Sequence, residues 1–140
     1  MYHLLVMFVT MVLAQVFIMP YIMTASTAEV YFSVTQGWMG AAMGAIMVAA
    51  DGLLHPLPLW VWLMAITVFV VAVIGYRYQV GVTDREYLHD MIPHHSMAVL
   101  TSERILAKTT NPAVIRLAES IRDAQVREIA EMRQLLQNGL

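Results

Sequence analysis

Leu59-Trp60-Val61-Trp62-Leu63-Met64-Ala65-Ile66-Thr67-Val68-Phe69-Val70-Val71-Ala72-Val73-Ile74-Gly75-Tyr76-Arg77-Tyr78 holds a single charge, Arg77, at its far end. A helix of this length covers a bilayer core of about 30 Å at roughly 1.5 Å per residue. Trp60 and Trp62 at one end, and Tyr76 and Tyr78 at the other, suit the two membrane interfaces. Arg77 is also a divide. All eight Lys and Arg residues of the 140-residue chain lie from Arg77 onward, and only Glu29 and Asp51 carry charge before it. The first half suits lipid and the second suits water.

Composition agrees. Hydrophobic residues make up 59% and charged residues 13%, too apolar a balance for an ordinary soluble domain. A net charge of −2 implies no nucleic-acid partner. The absence of cysteine removes disulfides and thiolate ligands.

Two more spans precede the third. Leu4 to Met23 is apolar apart from Thr10 and Gln15, with Pro20 near its end. Ser26-Thr27-Ala28 resembles a signal-peptide cleavage site, but the basic n-region is missing, so a retained helix is expected. The second span, Val30 to Ala50, is rich in small residues. Gly40 and Gly44 form a GxxxG pair that offers a close helix contact, including one to a second chain. Met39, Met43 and Met47 repeat along one face, which we read as adaptable packing rather than a metal path. Asp51-Gly52 through Pro58 reads as a loop. Residues 1–80 thus form a membrane domain with spans at about 4–23, 30–50 and 59–78. Three spans put the N-terminus and the C-terminal domain on opposite sides of a bilayer.

Residues 83–140 form a helical hairpin. Thr83-Asp84-Arg85-Glu86 matches the capping box and starts a helix to about Lys108. Pro93 lacks an N–H for the carbonyl of His89, so the helix kinks there or effectively begins near Asp90. Asn111-Pro112 starts a second helix, which Asn138-Gly139 ends near Gln137. One face reads Val114, Ala118, Ile121, Gln125, Glu128, Met132 and Leu135. Burying Gln125 and Glu128 unpaired costs several kcal/mol, so this stripe demands polar partners on the preceding helix. The alternative stripe, Ile115, Val126, Ile129 and Leu136, leaves Glu128 in water.

The preceding helix supplies such partners. His89-Asp90-Met91-Ile92-Pro93-His94-His95-Ser96-Met97 gathers three of the chain's five histidines with two thioethers and a carboxylate. Met91 precedes His94 by three residues and His95 by four, and His94 precedes Met97 by three, spacings that share a helix face. Imidazole, thioether and carboxylate are the side-chain metal donors of a cysteine-free chain. A helix carrying two solvated histidines is the competing reading, and spacing alone leaves both open.

The D-M-I-P-H-H-S-M-A run at 90–98, Leu117-Ala118, and Gln125-Val126-Arg127-Glu128-Ile129-Ala130-Glu131-Met132 resemble the family called domain of unknown function 305. The likeness covers about residues 83 to 140. It extends to a three-span form whose I-P-H-H-S run is followed by L-T-S-E-R, as at Leu100 to Arg104. The family's final aromatic is absent here, where Leu135 and Leu136 stand. The resemblance implies a ferritin-like helical fold and periplasmic copper binding linked to copper or silver tolerance. It thereby implies metal ligands among Met91, His94, His95 and Met132, with Asp90 and Glu128 as supporting or alternative ligands and Met97 a lesser one.

The expectation is therefore an all-α protein: three transmembrane helices, then a ferritin-like hairpin that completes a bundle by oligomerisation. A hairpin this short rarely sustains a core alone, and a four-helix bundle needs two of them, so at least a homodimer is expected. The expected function is non-enzymatic binding of copper, as Cu(I) or Cu(II), or of silver, in a bacterial inner membrane. Arg77 and Arg85 favour a cytoplasmic C-terminus, and the resemblance favours a periplasmic one, which we adopt. Two rivals stand beside it. One is an accessory subunit of a larger membrane complex. The other is a di-metal carboxylate oxidase, for which Glu86 and His89 supply one Glu-x-x-His pair.

Overall fold

A computed structural model describes residues 2–139, and among them every regular element is helical. In chain order these are α1 (Tyr2–Leu13), a π-turn (Ala14–Ile18), α2 (Met19–Met23), a 3-10 turn (Thr27–Glu29), α3 (Val34–Leu54), α4 (Leu59–Arg77), α5 (Asp84–Leu106) and α6 (Pro112–Gln137). Three helical stretches, Tyr2–Met23, Val34–Leu54 and Leu59–Arg77, are long and apolar enough to cross a membrane. That is compatible with a membrane protein.

The helix boundaries follow from local chemistry. Pro20 has no N–H to return to the carbonyl four residues back, and the turn before it widens: the N–H of Met19 bonds to the carbonyl of Ala14. Thr24 closes the segment, its N–H and its hydroxyl both donating to the Pro20 carbonyl at 3.1 and 2.8 Å. The second span begins at Val34, four residues later than expected. Ser33 and Gln36 form a reciprocal capping box there, with bonds of 3.3 and 3.4 Å. It also runs on to Leu54. Asp51-Gly52 lies inside the helix, and the loop is confined to the Pro56–Pro58 region.

The chain divides into two compact units. The first comprises residues up to Met19 with Phe32–Val82. In it α1 and α4 both pack on α3, around Leu4, Val48, Val61 and Ala65 with Phe8 and Leu57 beside them. The glycine pair faces α1 of the same chain. A Cβ at Gly40 would stand 3.1 Å from the Cα of Val12, and one at Gly44 only 2.6 Å from the Phe8 ring. The GxxxG face thus serves the packing of α3 on α1 within the chain. Met39, Met43 and Met47 lie on exposed surface of α3 and are not part of the packing within the chain's first unit.

The second unit joins Pro20–Tyr31 to the chain from Thr83 onward. Residues 20–31 therefore belong with the hairpin and not with the 1–80 domain that hydropathy suggested. Thr83 caps α5 by accepting from the Glu86 N–H, and Asn111 caps α6 by accepting from that of Ala113. α5 continues unbroken through a buried Pro93, so a start near Asp90 does not occur. Leu88, Ile92, Val99, Ile129 and Met132 form the core between α5 and α6, with Tyr31, Met91 and Leu136 packed against it.

Neither expected stripe of α6 is the one buried. The inward positions are Ile115, Ala118, Arg122, Gln125, Ile129, Met132 and Leu136, alternating steps of three and four. This face combines members of both expected stripes. Glu128 lies exposed at its edge, while Val126 points to solvent.

Candidate functional site

The second unit positions the histidine motif through Ser96, which the sequence reading passed over. Ser96 is fully buried. Its hydroxyl accepts from the Ala25 N–H at 2.7 Å and donates to the Glu29 carboxylate at 2.5 Å. Arg133 of α6 donates to the Ala28 carbonyl at 3.1 Å and stands 3.5 Å from the other Glu29 oxygen. Glu29 is one of the two charges in the apolar half of the sequence. That oddity, set against an i-P-H-H-S run, was the available signal.

With Ser96 facing that segment, its neighbours on α5 take other directions. Asp90 is buried, and one of its oxygens lies 4.0 Å from Nε2 of the exposed His94, one turn on. His95 faces α6, where its Nδ1 lies 3.0 Å from Oε2 of Glu128. This nitrogen is buried, and the Glu128 carboxylate is the polar group beside it. His89 packs its ring on Tyr31, with centroids 4.9 Å apart.

The thioethers sit deeper. Met132 belongs to the core between the helices, and Met91 packs against the same cluster. Met97 is half-buried on α5. The structure therefore brings His95 to Glu128, His94 near Asp90, and Met91 to the cluster that contains Met132. It does not bring them to one point. Among the described residues no three His, Asp or Glu side chains already surround a cation position.

Side chains able to donate to a metal are present on both helices. Two apolar-embedded sulfurs, two imidazoles and a carboxylate edge lie on adjoining faces of two packed helices.

Comparison with known proteins finds similarity over this part of the chain. Residues 78–139 match the family model described as Domain of unknown function (DUF305). The chain is also 39% identical over 74 residues to an uncharacterized protein of Acanthamoeba polyphaga mimivirus, an alignment covering 53% of this chain and 49% of that protein. The chain thus spans about half the length of that curated relative. No solved structure matches.

Proposed function

We propose that the α5–α6 hairpin binds a soft metal ion, Cu(I) foremost and also Ag(I) or Cu(II), in metal homeostasis or resistance at a bacterial inner membrane. The observation that carries this reading is the approach of His95 Nδ1 on α5 to Glu128 Oε2 on α6 at 3.0 Å, which sets an imidazole and a carboxylate donor face to face between the two helices. A cation held between that imidazole and carboxylate would use both donors.

In this reading His94, His95, Met91 and Met132 hold the ion, and Glu128 and Asp90 orient the imidazoles or join them. Met97 contributes least. Thioether sulfur selects Cu(I) or Ag(I) over Zn(II). The unit faces the periplasm and works as a homo-oligomer. The exposed apolar residues Val114, Leu117 and Ile121 on α6 support that assembly, since together they present a hydrophobic strip to solvent.

Competition titration with a Cu(I) chelator tests the proposal. The parent chain in detergent takes up Cu(I), and His95→Gln weakens uptake at least about tenfold, the usual scale for a lost ligand or its orienting partner. Equal affinity in the two proteins would remove His95 from the site.

A further inference from the structure

A second set of metal donors lies in the first unit, far in sequence from the histidine motif. Asp51 is in the last turn of α3, where the free carbonyl ends of the helix disfavour a negative charge. Its side chain is only 10% exposed, and it is the one carboxylate of its unit. One oxygen stands 3.3 Å from Nε2 of His3, at the start of α1. The other stands 3.2 Å from Nδ1 of His55, which caps α3. Both imidazoles are mostly exposed, at 57% and 66%. The three side chains edge a recess of about 450 Å³, closed on another side by Pro56 and Pro58.

We propose that His3, Asp51 and His55 bind a divalent cation of borderline hardness, Zn(II) or Cu(II). The donor spacing is the first argument. Hydrogen bonds of 3.3 and 3.2 Å hold both imidazoles against the one carboxylate, a spacing that neighbouring ligands also have when metal–ligand bonds of about 2.0–2.2 Å meet at tetrahedral angles, roughly 3.4 Å. Charge is the second. A cation relieves the conflict between a nearly buried carboxylate and the negative end of its own helix, which neutral imidazoles do only by donating hydrogen bonds. The donor set names the class: two imidazole nitrogens and one carboxylate oxygen suit Zn(II) or Cu(II).

The three groups form a row through Asp51 and not a closed ring, in keeping with the absence of a ready three-donor cage among the described residues. Closing it requires rotation of two exposed imidazoles while Asp51 stays in place. Water completes the coordination. The proposal does not depend on copper binding by α5 and α6.

The test is a Zn(II) titration of the full chain in mild detergent, made in a His94→Gln, His95→Gln background to silence the other site. One equivalent of Zn(II) should remain. Adding Asp51→Asn should weaken it at least about tenfold, and adding His3→Gln with His55→Gln should abolish it. Helix content by circular dichroism checks folding. His55→Gln alone, at an exposed side chain, gives the same test should Asp51→Asn not fold. No Zn(II) uptake in the background chain, or uptake unchanged by His3→Gln with His55→Gln, overturns the proposal. Cu(I) retention by the background chain would instead count against the α5–α6 site only.

Discussion

Replacing Ser96 by alanine should release residues 20–31 from the hairpin while leaving both long helices folded. The Ser96 hydroxyl makes two bonds in a fully buried position, accepting from the Ala25 N–H and donating to the Glu29 carboxylate. The substitution leaves the Ala25 N–H without its partner, at about 1–3 kcal/mol. It also deletes a hydrogen bond to a charged group, worth about 1.5–3 kcal/mol. Arg133 still faces Glu29, so the two figures do not add fully, and a loss of about 2–4 kcal/mol is reasonable. The apolar core between α5 and α6, built on Leu88, Ile92, Val99, Ile129 and Met132, is unchanged by the substitution and should persist. Hydrogen exchange read by mass spectrometry is the assay, because it reports local opening separately from global unfolding. With a factor of ten per 1.4 kcal/mol, amides of residues 24–31 should lose roughly 30- to 700-fold of their protection. Those of α6 should change little. Undiminished protection over 24–31 would refute the idea that Ser96 holds this segment.

Gly44→Ala puts a Cβ 2.6 Å from the Phe8 ring, an overpacking that should cost about 1–3 kcal/mol; a lower detergent melting temperature checks it, and Phe8→Leu in the same chain should restore part of the loss. Met91→Leu with Met132→Leu keeps the core's volume but deletes both sulfurs, so Cu(I) affinity should fall much more than Zn(II) affinity in parallel chelator competitions. Ile121→Glu charges the exposed strip of α6, and native mass spectrometry should then show a shift from oligomer to monomer at equal concentration; a parent chain that is already monomeric contradicts the assembly.

Most helix positions were legible because their signals are local. Thr83 and Asn111 announce α5 and α6, and the Trp and Tyr pairs bracket α4 to within a residue. The second span was misplaced because Val30 to Ser33 is apolar enough to extend it. The Ser33–Gln36 capping box, an equally local signal, sets the true start. Two stripes competed on α6, and its own sequence does not decide between them. Which residues are buried depends on the angle at which α5 and Tyr31 pack against it. Of the site, the donor residues were readable and their arrangement was not. The pairing of His95 with Glu128 depends on helix register, and the role of Ser96 depends on Glu29, 67 positions away. Asp51 and His55 were read as loop residues, and nothing local indicates that His3 meets them.

The most direct test of the account is copper K-edge X-ray absorption on the full chain, loaded with Cu(I), desalted, and compared with its His94→Gln, His95→Gln variant. The account predicts retained copper with both nitrogen and sulfur neighbours in the parent, and loss of most copper from the variant with helix content preserved. Copper washed away from the parent on desalting, or an identical spectrum in the variant, would contradict it.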